Sequence, residues 1–220
     1  AFVYFFAQLY PFSLIAEPSS WTAAAAGGCV LLRRIALQRA GGLPRIRNRL
    51  IDDVALGRLM KRSGARIWLG FTNNPPEVRS VRPCPHLADL WRMVTRTAYT
   101  QLRTSPVLLA GTLAGLGLLY AVPPVAGLTG LARRQAVPAV AGLGAWVATT
   151  ITQAPVLRLY GLSPLRGLAL PAVATLYAAM TLDSARRHAT GCGGVWKDRD
   201  VIPNSGDQLQ PLVDPHPSQT

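Results

Sequence analysis

The stretch from Pro106 to Ala132 carries no charged residue and consists mostly of Leu, Ala, Gly and Val. It exceeds the roughly 20 apolar residues that cross a bilayer, and a run that long without charge suits lipid better than the core of a small soluble domain. A second uncharged run follows from Gln135 to Leu157, made more polar by Thr149, Thr150, Thr152 and Gln153, and a third from Gly167 to Leu182. The third, at 16 residues, covers about 24 Å as a helix and needs Arg166 and Arg186 to snorkel. The expectation is three membrane helices, over about 106–132, 135–157 and 165–183. Composition agrees: half of the 220 residues are hydrophobic and only 15% are charged, unusual for a soluble globule.

Three full spans after a cytoplasmic segment would place Arg186, Arg187, Lys197 and Arg199 outside, against the positive-inside tendency. Either one run is re-entrant or interfacial, with one of the last two the expected one, or the basic ending of the chain is not at the active-site face.

The net charge of +13 is uneven. Up to position 104 there are fifteen basic and five acidic residues, and beyond it eight and five. Arg33, Arg34, Arg45, Arg47, Arg49, Arg58, Lys61, Arg62 and Arg66 cluster in the first part. Such a surface suits phosphates, whether of nucleic acid, anionic lipid or a nucleotide diphosphate. No nucleic-acid-binding motif accompanies it, so nucleic acid is not an expected partner. Cys29, Cys84 and Cys192 are odd in number and widely spaced, which argues against a disulfide framework or a zinc site. The start at Ala1 has no charged region before an apolar one and does not look like a signal peptide; it reads as a chain entered part-way through.

Ala1 to Ile15 is aromatic and apolar but short for a span, so an interfacial or groove-lining helix, stopped near Pro11, is expected. Gly27-Gly28 separates an alanine run from the strand-like Cys29-Val30-Leu31-Leu32 and permits close backbone approach or positive φ. Arg34 to Ala40 reads as a short helix stopped by Gly41-Gly42. Val54, Leu56, Leu59 and Met60 give a helical spacing over 51–62, with Gly64 as its stop. Arg66 to Phe71 reads as a strand, and Thr72 to Pro85 as a proline-rich connection. Leu87 to Arg103 is an expected amphipathic helix, with Trp91, Val94, Ala98 and Leu102 on one side and Arg92, Arg96 and Arg103 round the rest. The polar tail over 201–220 is expected to be disordered.

Asp52 and Asp53 fall at the start of the 51–62 helix, two of only five acidic residues in the first 104. Acidic residues there stabilise a helix as caps and dipole partners by about 0.5 to 2 kcal/mol each. Two neighbouring carboxylates in an otherwise apolar and arginine-rich stretch are equally a candidate for general base work.

The order of motifs adds to this. Ala24-Ala25-Ala26-Gly27-Gly28-Cys29-Val30-Leu31-Leu32-Arg33-Arg34, Gly41-Gly42-Leu43, Leu50-Ile51-Asp52-Asp53 and Gly64-Ala65-Arg66-Ile67-Trp68-Leu69-Gly70 follow one another in a way that resembles the back half of a family 2 glycosyltransferase catalytic domain. With Trp91-Arg92-Met93-Val94-Thr95-Arg96-Thr97-Ala98-Tyr99 and Met180-Thr181-Leu182-Asp183-Ser184-Ala185 included, residues 1–199 resemble the hopene-associated branch encoded with hopanoid biosynthesis. The resemblance implies an α/β fold plus membrane α-helices: the acceptor half of a GT-A domain over 1–104, membrane helices over 105–188, and a C-terminal tail over 189–220.

It further implies an inverting transfer from a nucleotide sugar, expected to be a UDP-sugar, to a lipid acceptor. Asp53 matches the family's catalytic base and Asp52 its acidic neighbour. Gly27 and Gly28 match small residues lining the acceptor side. Arg96 matches the arginine of a Gln-x-x-Arg-Trp motif, while Met93 and Thr97 depart from its Gln and Trp. Arg92, Arg96 and Tyr99 are the expected substrate-binding residues, since a guanidinium grips a diphosphate bidentately. The family uses a divalent cation, Mg or Mn, held by an Asp-x-Asp motif at the front of the domain; Asp198-Arg199-Asp200 is in the wrong place to serve, so no metal ligand is expected in this chain. The chain is accordingly expected to be a fragment, inactive alone, from a multi-pass inner-membrane protein with its catalytic segment in the cytoplasm.

Overall fold

The computed structural model describes residues 2–47, 49–71 and 86–191, with the backbone of the pairs 195–196 and 199–200. The proline-rich connection at 72–85, Cys84, Cys192 and the tail from 201 lie outside the described residues.

The aromatic start forms α1 (Phe2–Leu9) and, after the break at Pro11, α2 (Phe12–Ala16). An extended segment leads to α3 (Arg34–Arg39), which ends on Gly41 and Gly42 at φ 94° and 74°. The Gly42 amide returns to the Leu37 carbonyl at 2.9 Å, a left-handed helix stop that residues with a Cβ adopt reluctantly. A 3-10 turn over Leu43–Ile46 precedes α4 (Asp52–Arg62). Acidic residues in the first turn of α4 and Lys61 and Arg62 in its last match the helix dipole at both ends.

The α/β expectation is overturned. Among the described residues the only strands are β1 (Val195–Trp196) and β2 (Arg199–Asp200), a two-residue antiparallel pairing near the end of the chain. The expected strand over 66–71 and the strand-like run 29–32 have no ladder partner. A strand needs a neighbour to take its N–H and C=O groups, and no described segment offers one. Among the described residues there is no GT-A sheet; they are helical, joined by unpaired extended segments.

The amphipathic helix α5 (Leu87–Gln101) buries Val94 and Thr95. Beyond it stand three helical lengths that are long and apolar enough to cross a membrane: 106–132, 136–159 and 164–189. The first consists of α6 (Pro106–Leu116), a π-turn over Gly117–Ala121, and α7 (Val122–Ala132). The π-turn precedes Pro123-Pro124, whose missing N–H groups interrupt the α-ladder, and it leaves the Val122 amide bonded to the Gly117 carbonyl. The second is α8 (Ala136–Leu159), and the third is a 3-10 start running into α9 (Leu170–Ala189).

Helices α7 and α8 meet backbone to backbone. A Cβ on Gly142 would strike the Gly127 backbone, and one on Gly130 would strike that of Ala139, so small residues permit the contact that holds helices together where lipid removes the hydrophobic drive. Val137, Val140 and Ile151 point outward. The threonines that made the second run polar return their hydroxyls to their own helix, Thr149 and Thr150 donating to the Trp146 carbonyl and Thr152 to that of Thr149, which satisfies them without water.

The N-terminal region joins this bundle through α1. Tyr4 and Phe5 are buried with Tyr120, Leu170 and Ala174, and the Tyr4 hydroxyl lies 2.8 Å from Thr152 Oγ1 and 3.3 Å from the Tyr120 hydroxyl. At the other end, Trp91 Nε1 of α5 donates to Asp183 Oδ2 of α9 at 2.8 Å, and Arg187 Nε donates to the same oxygen at 3.0 Å.

Candidate active site

Helix α4 presents Asp53, Gly57 and Lys61 at intervals of four, and such positions share a face. Each meets a successive part of the extended segment 22–27, which runs antiparallel to the helix. At the first turn, Asp53 Oδ2 accepts from the Gly27 amide at 3.2 Å. One turn on, a Cβ on Gly57 would fall 2.8 Å from the Ala24 carbonyl carbon and 2.9 Å from its oxygen, so only glycine lets the helix lie this close. In the last turn Lys61 Nζ donates to the carbonyls of Leu14, Ile15 and Thr22 at 3.1, 3.0 and 2.7 Å. All three ammonium protons are used, and α4 is fixed in register on two separate stretches of chain.

The two carboxylates divide their work. Asp52 is exposed and its Oδ1 accepts from the Asp53 amide at 3.0 Å. Asp53 is half-buried; its Oδ1 accepts from the Val54 amide at 2.7 Å while Oδ2 takes Gly27. Both thus satisfy first-turn amides, although the residue at the cap position itself is Ile51, which has no side-chain bond. Asp53 alone also reaches outside its helix. A carboxylate has about four lone-pair sites, so two of those on Asp53 remain for another donor.

Under the pair lies a small core of Tyr10, Ile15, Ala24 and Val54, flanked by Phe6, Phe12, Ile51, Ile67 and Leu69. Tyr10 is only 6% exposed, and its hydroxyl is buried with no hydrogen-bond partner. Its phenol is raised above the ordinary 10.0, because burial disfavours the phenolate; the Arg58 cation works against this and the Asp53 anion with it. An unpaired buried hydroxyl beside a candidate base is a feature that the sequence reading missed, as it missed Gly57 and the role of Lys61. Tyr10 was hidden in an aromatic run, but the i, i+4, i+8 spacing of Asp53, Gly57 and Lys61 was available as a signal.

The remaining expected site residues lie elsewhere. Gly27 and Gly28 sit exposed in a turn closed by the Cys29 amide on the Ala26 carbonyl at 3.1 Å. Neither has positive φ, and of the two only Gly27 touches Asp53; nothing lies where a Gly28 Cβ would go. Arg92, Arg96 and Tyr99 are on α5, where Arg92 is exposed and pairs with Asp89, and Arg96 is half-buried. The Tyr99 amide donates to Ser184 Oγ at 3.0 Å and its ring meets that of His188 edge-on at 5.4 Å. The structure thus brings Asp52, Asp53 and Gly27 together, and ties α5 to α9 instead. Among the described residues no three of His, Cys, Asp and Glu converge as a metal site would require.

The family model of glycosyl transferase family 21 matches residues 2–184. Comparison with curated proteins and with solved structures returns no match.

Proposed function

Because the chain belongs to glycosyl transferase family 21, we propose that it serves the transfer of a sugar from a nucleotide donor, a UDP-sugar, to a hydroxyl of a membrane lipid, with Asp53 as general base. The supporting observation is that Asp53 accepts at once from its own helix and from the Gly27 turn. Its rotamer is thereby held while lone pairs remain for an incoming O–H, which is how a base is kept within hydrogen-bond reach of its proton. The acceptor proton passes to the carboxylate, the alcohol oxygen attacks the anomeric carbon with inversion, and the nucleotide diphosphate leaves. Asp52 keeps the first turn capped, and Arg92, Arg96 and Tyr99 on α5 are assigned to substrate.

Three helices of membrane-crossing length favour a lipid acceptor, and the ordered motifs favour one from hopanoid metabolism at the inner membrane, with the catalytic segment cytoplasmic. The decisive variant is Asp53→Asn made in the complete gene product that carries this chain, detergent-solubilised or reconstituted and supplied with labelled UDP-sugar and lipid extract. Asn keeps one acceptor oxygen, which can serve the Gly27 or the Val54 amide but not both, so a loss of about 1 kcal/mol of stability is expected while transfer falls by about 10²- to 10⁴-fold. Asn that transfers as well as Asp would reduce the pair to a helix cap, the reading that the first-turn bonds of both carboxylates favour.

A further inference from the structure

Between Glu17 and Asp52 the chain has no acidic residue and six arginines: Arg33, Arg34, Arg39, Arg45, Arg47 and Arg49. All six are exposed and none pairs with a carboxylate among the described residues. Interleaved with them are large apolar side chains that water should not keep bare: Leu31 at 97% exposed, Ile35 at 64% and Leu43 at 55%, with Trp21 at 96% just upstream. Scattered exposed hydrophobics need no explanation, but several in one stretch of chain, interleaved with cations that no described carboxylate pairs, point to an interaction surface.

We propose that the segment from Val30 to Arg49 docks on an anionic membrane surface, the arginines on lipid phosphates and Leu31, Ile35 and Leu43 in the acyl boundary. A free phosphate or nucleotide would account for the arginines but leave the apolar side chains without a partner. A lipid surface accounts for both, as for other basic amphipathic segments. Continuity supports the same occupant, because α1, which precedes this segment, is packed into the membrane-length helices through Tyr4 and Phe5. The segment is thus held near the bilayer before any attraction acts. Its turn at Ala26–Cys29 also carries the Gly27 amide that holds Asp53, which sets the carboxylate beside the docked lip. The docking itself stands whether or not Asp53 is the base.

Cys29 is free and exposed at the edge of the segment, and gives the test a label site. Full-length chain with Cys84→Ser and Cys192→Ser is labelled there with a fluorophore and placed in nanodiscs of phosphatidylcholine, or of phosphatidylcholine with phosphatidylglycerol, each containing a brominated lipid. Quenching is expected to be at least about twofold stronger in the anionic discs, to weaken in high salt, and to be lost in Arg33→Gln/Arg34→Gln/Arg39→Gln. Leu31→Ser should weaken it at unchanged charge. Circular dichroism of each variant separates lost docking from lost folding. Equal quenching in both discs, or none in either, overturns the proposal. Displacement of the label from anionic discs by millimolar UDP overturns it in favour of a nucleotide diphosphate site.

Discussion

The membrane helices and the region around Asp53 solve the same problem, the hydrogen bonding of buried backbone, in opposite ways. Helices α6 to α9 satisfy their carbonyls and amides within themselves, so they can pack by shape alone, glycine against backbone. The Asp53 region relies on a short helix and an extended segment whose leftover groups must be met one at a time by side chains: Gly27 by Asp53, and Leu14 and Ile15 of α2 together with Thr22 by Lys61. A packed bundle spreads its stability over many small contacts, whereas here a few polar side chains carry the geometry. The two halves should therefore fail separately, joined mainly by α1, where Tyr4 and Phe5 pack against Tyr120, Leu170 and Ala174.

The sharpest way to break that contrast is Gly142→Leu. Its side chain would enter the Gly127 backbone and is expected to part α7 from α8, destabilising the bundle by about 3 kcal/mol or more, since overpacking alone costs 1–3. Hydrogen exchange should rise in α7 and α8 and stay unchanged in α4. Gly57→Val is the converse. Its methyls meet the Ala24 backbone, so about 1–3 kcal/mol is lost locally, and exchange should rise over 22–28 and 52–62 while the bundle keeps its melting temperature. If either variant melts both halves together, the division is wrong. Lys61→Met leaves three carbonyls without their donor and is expected to cost about 1–3 kcal/mol, read as lost amide protection over 12–24. The smallest effect is that of Tyr10→Phe, which removes an unpaired hydroxyl and should be neutral or stabilising by up to about 1 kcal/mol. Because burial holds the phenol above 10.0, the folded state favours its neutral form. That contribution is complete below the unfolded value and is lost as pH rises through the folded one. Thermal melts above pH 10.0 should accordingly fall less steeply in Tyr10→Phe than in the parent.

The same contrast explains what could be read from the residues. Uncharged runs such as 106–132 announce themselves because only lipid tolerates them, and α4 shows its helical period and Gly64 stop. Segments 29–32 and 66–71 have strand-like residues, yet a strand is a property of two segments, and one segment's propensity says nothing of its partner. At the site, Asp52 and Asp53 stood out by charge. Gly57 and Lys61 act on residues far away in sequence, Ala24, Thr22, Ile15 and Leu14, and their meaning appears only when the helix face is matched to the segment it covers. Tyr10 was one aromatic among many until burial separated it.

Lys61 bears on the composition of the chain as a whole. Of 23 basic residues all but Lys61 and Lys197 are arginine. At position 61 a replacement by arginine meets a geometric barrier. Three carbonyls converge on one nitrogen, and a planar guanidinium, broad and forked, cannot serve them as a compact ammonium does. Position 61 is thus one where the exchange of lysine for arginine is expected to cost stability instead of being neutral.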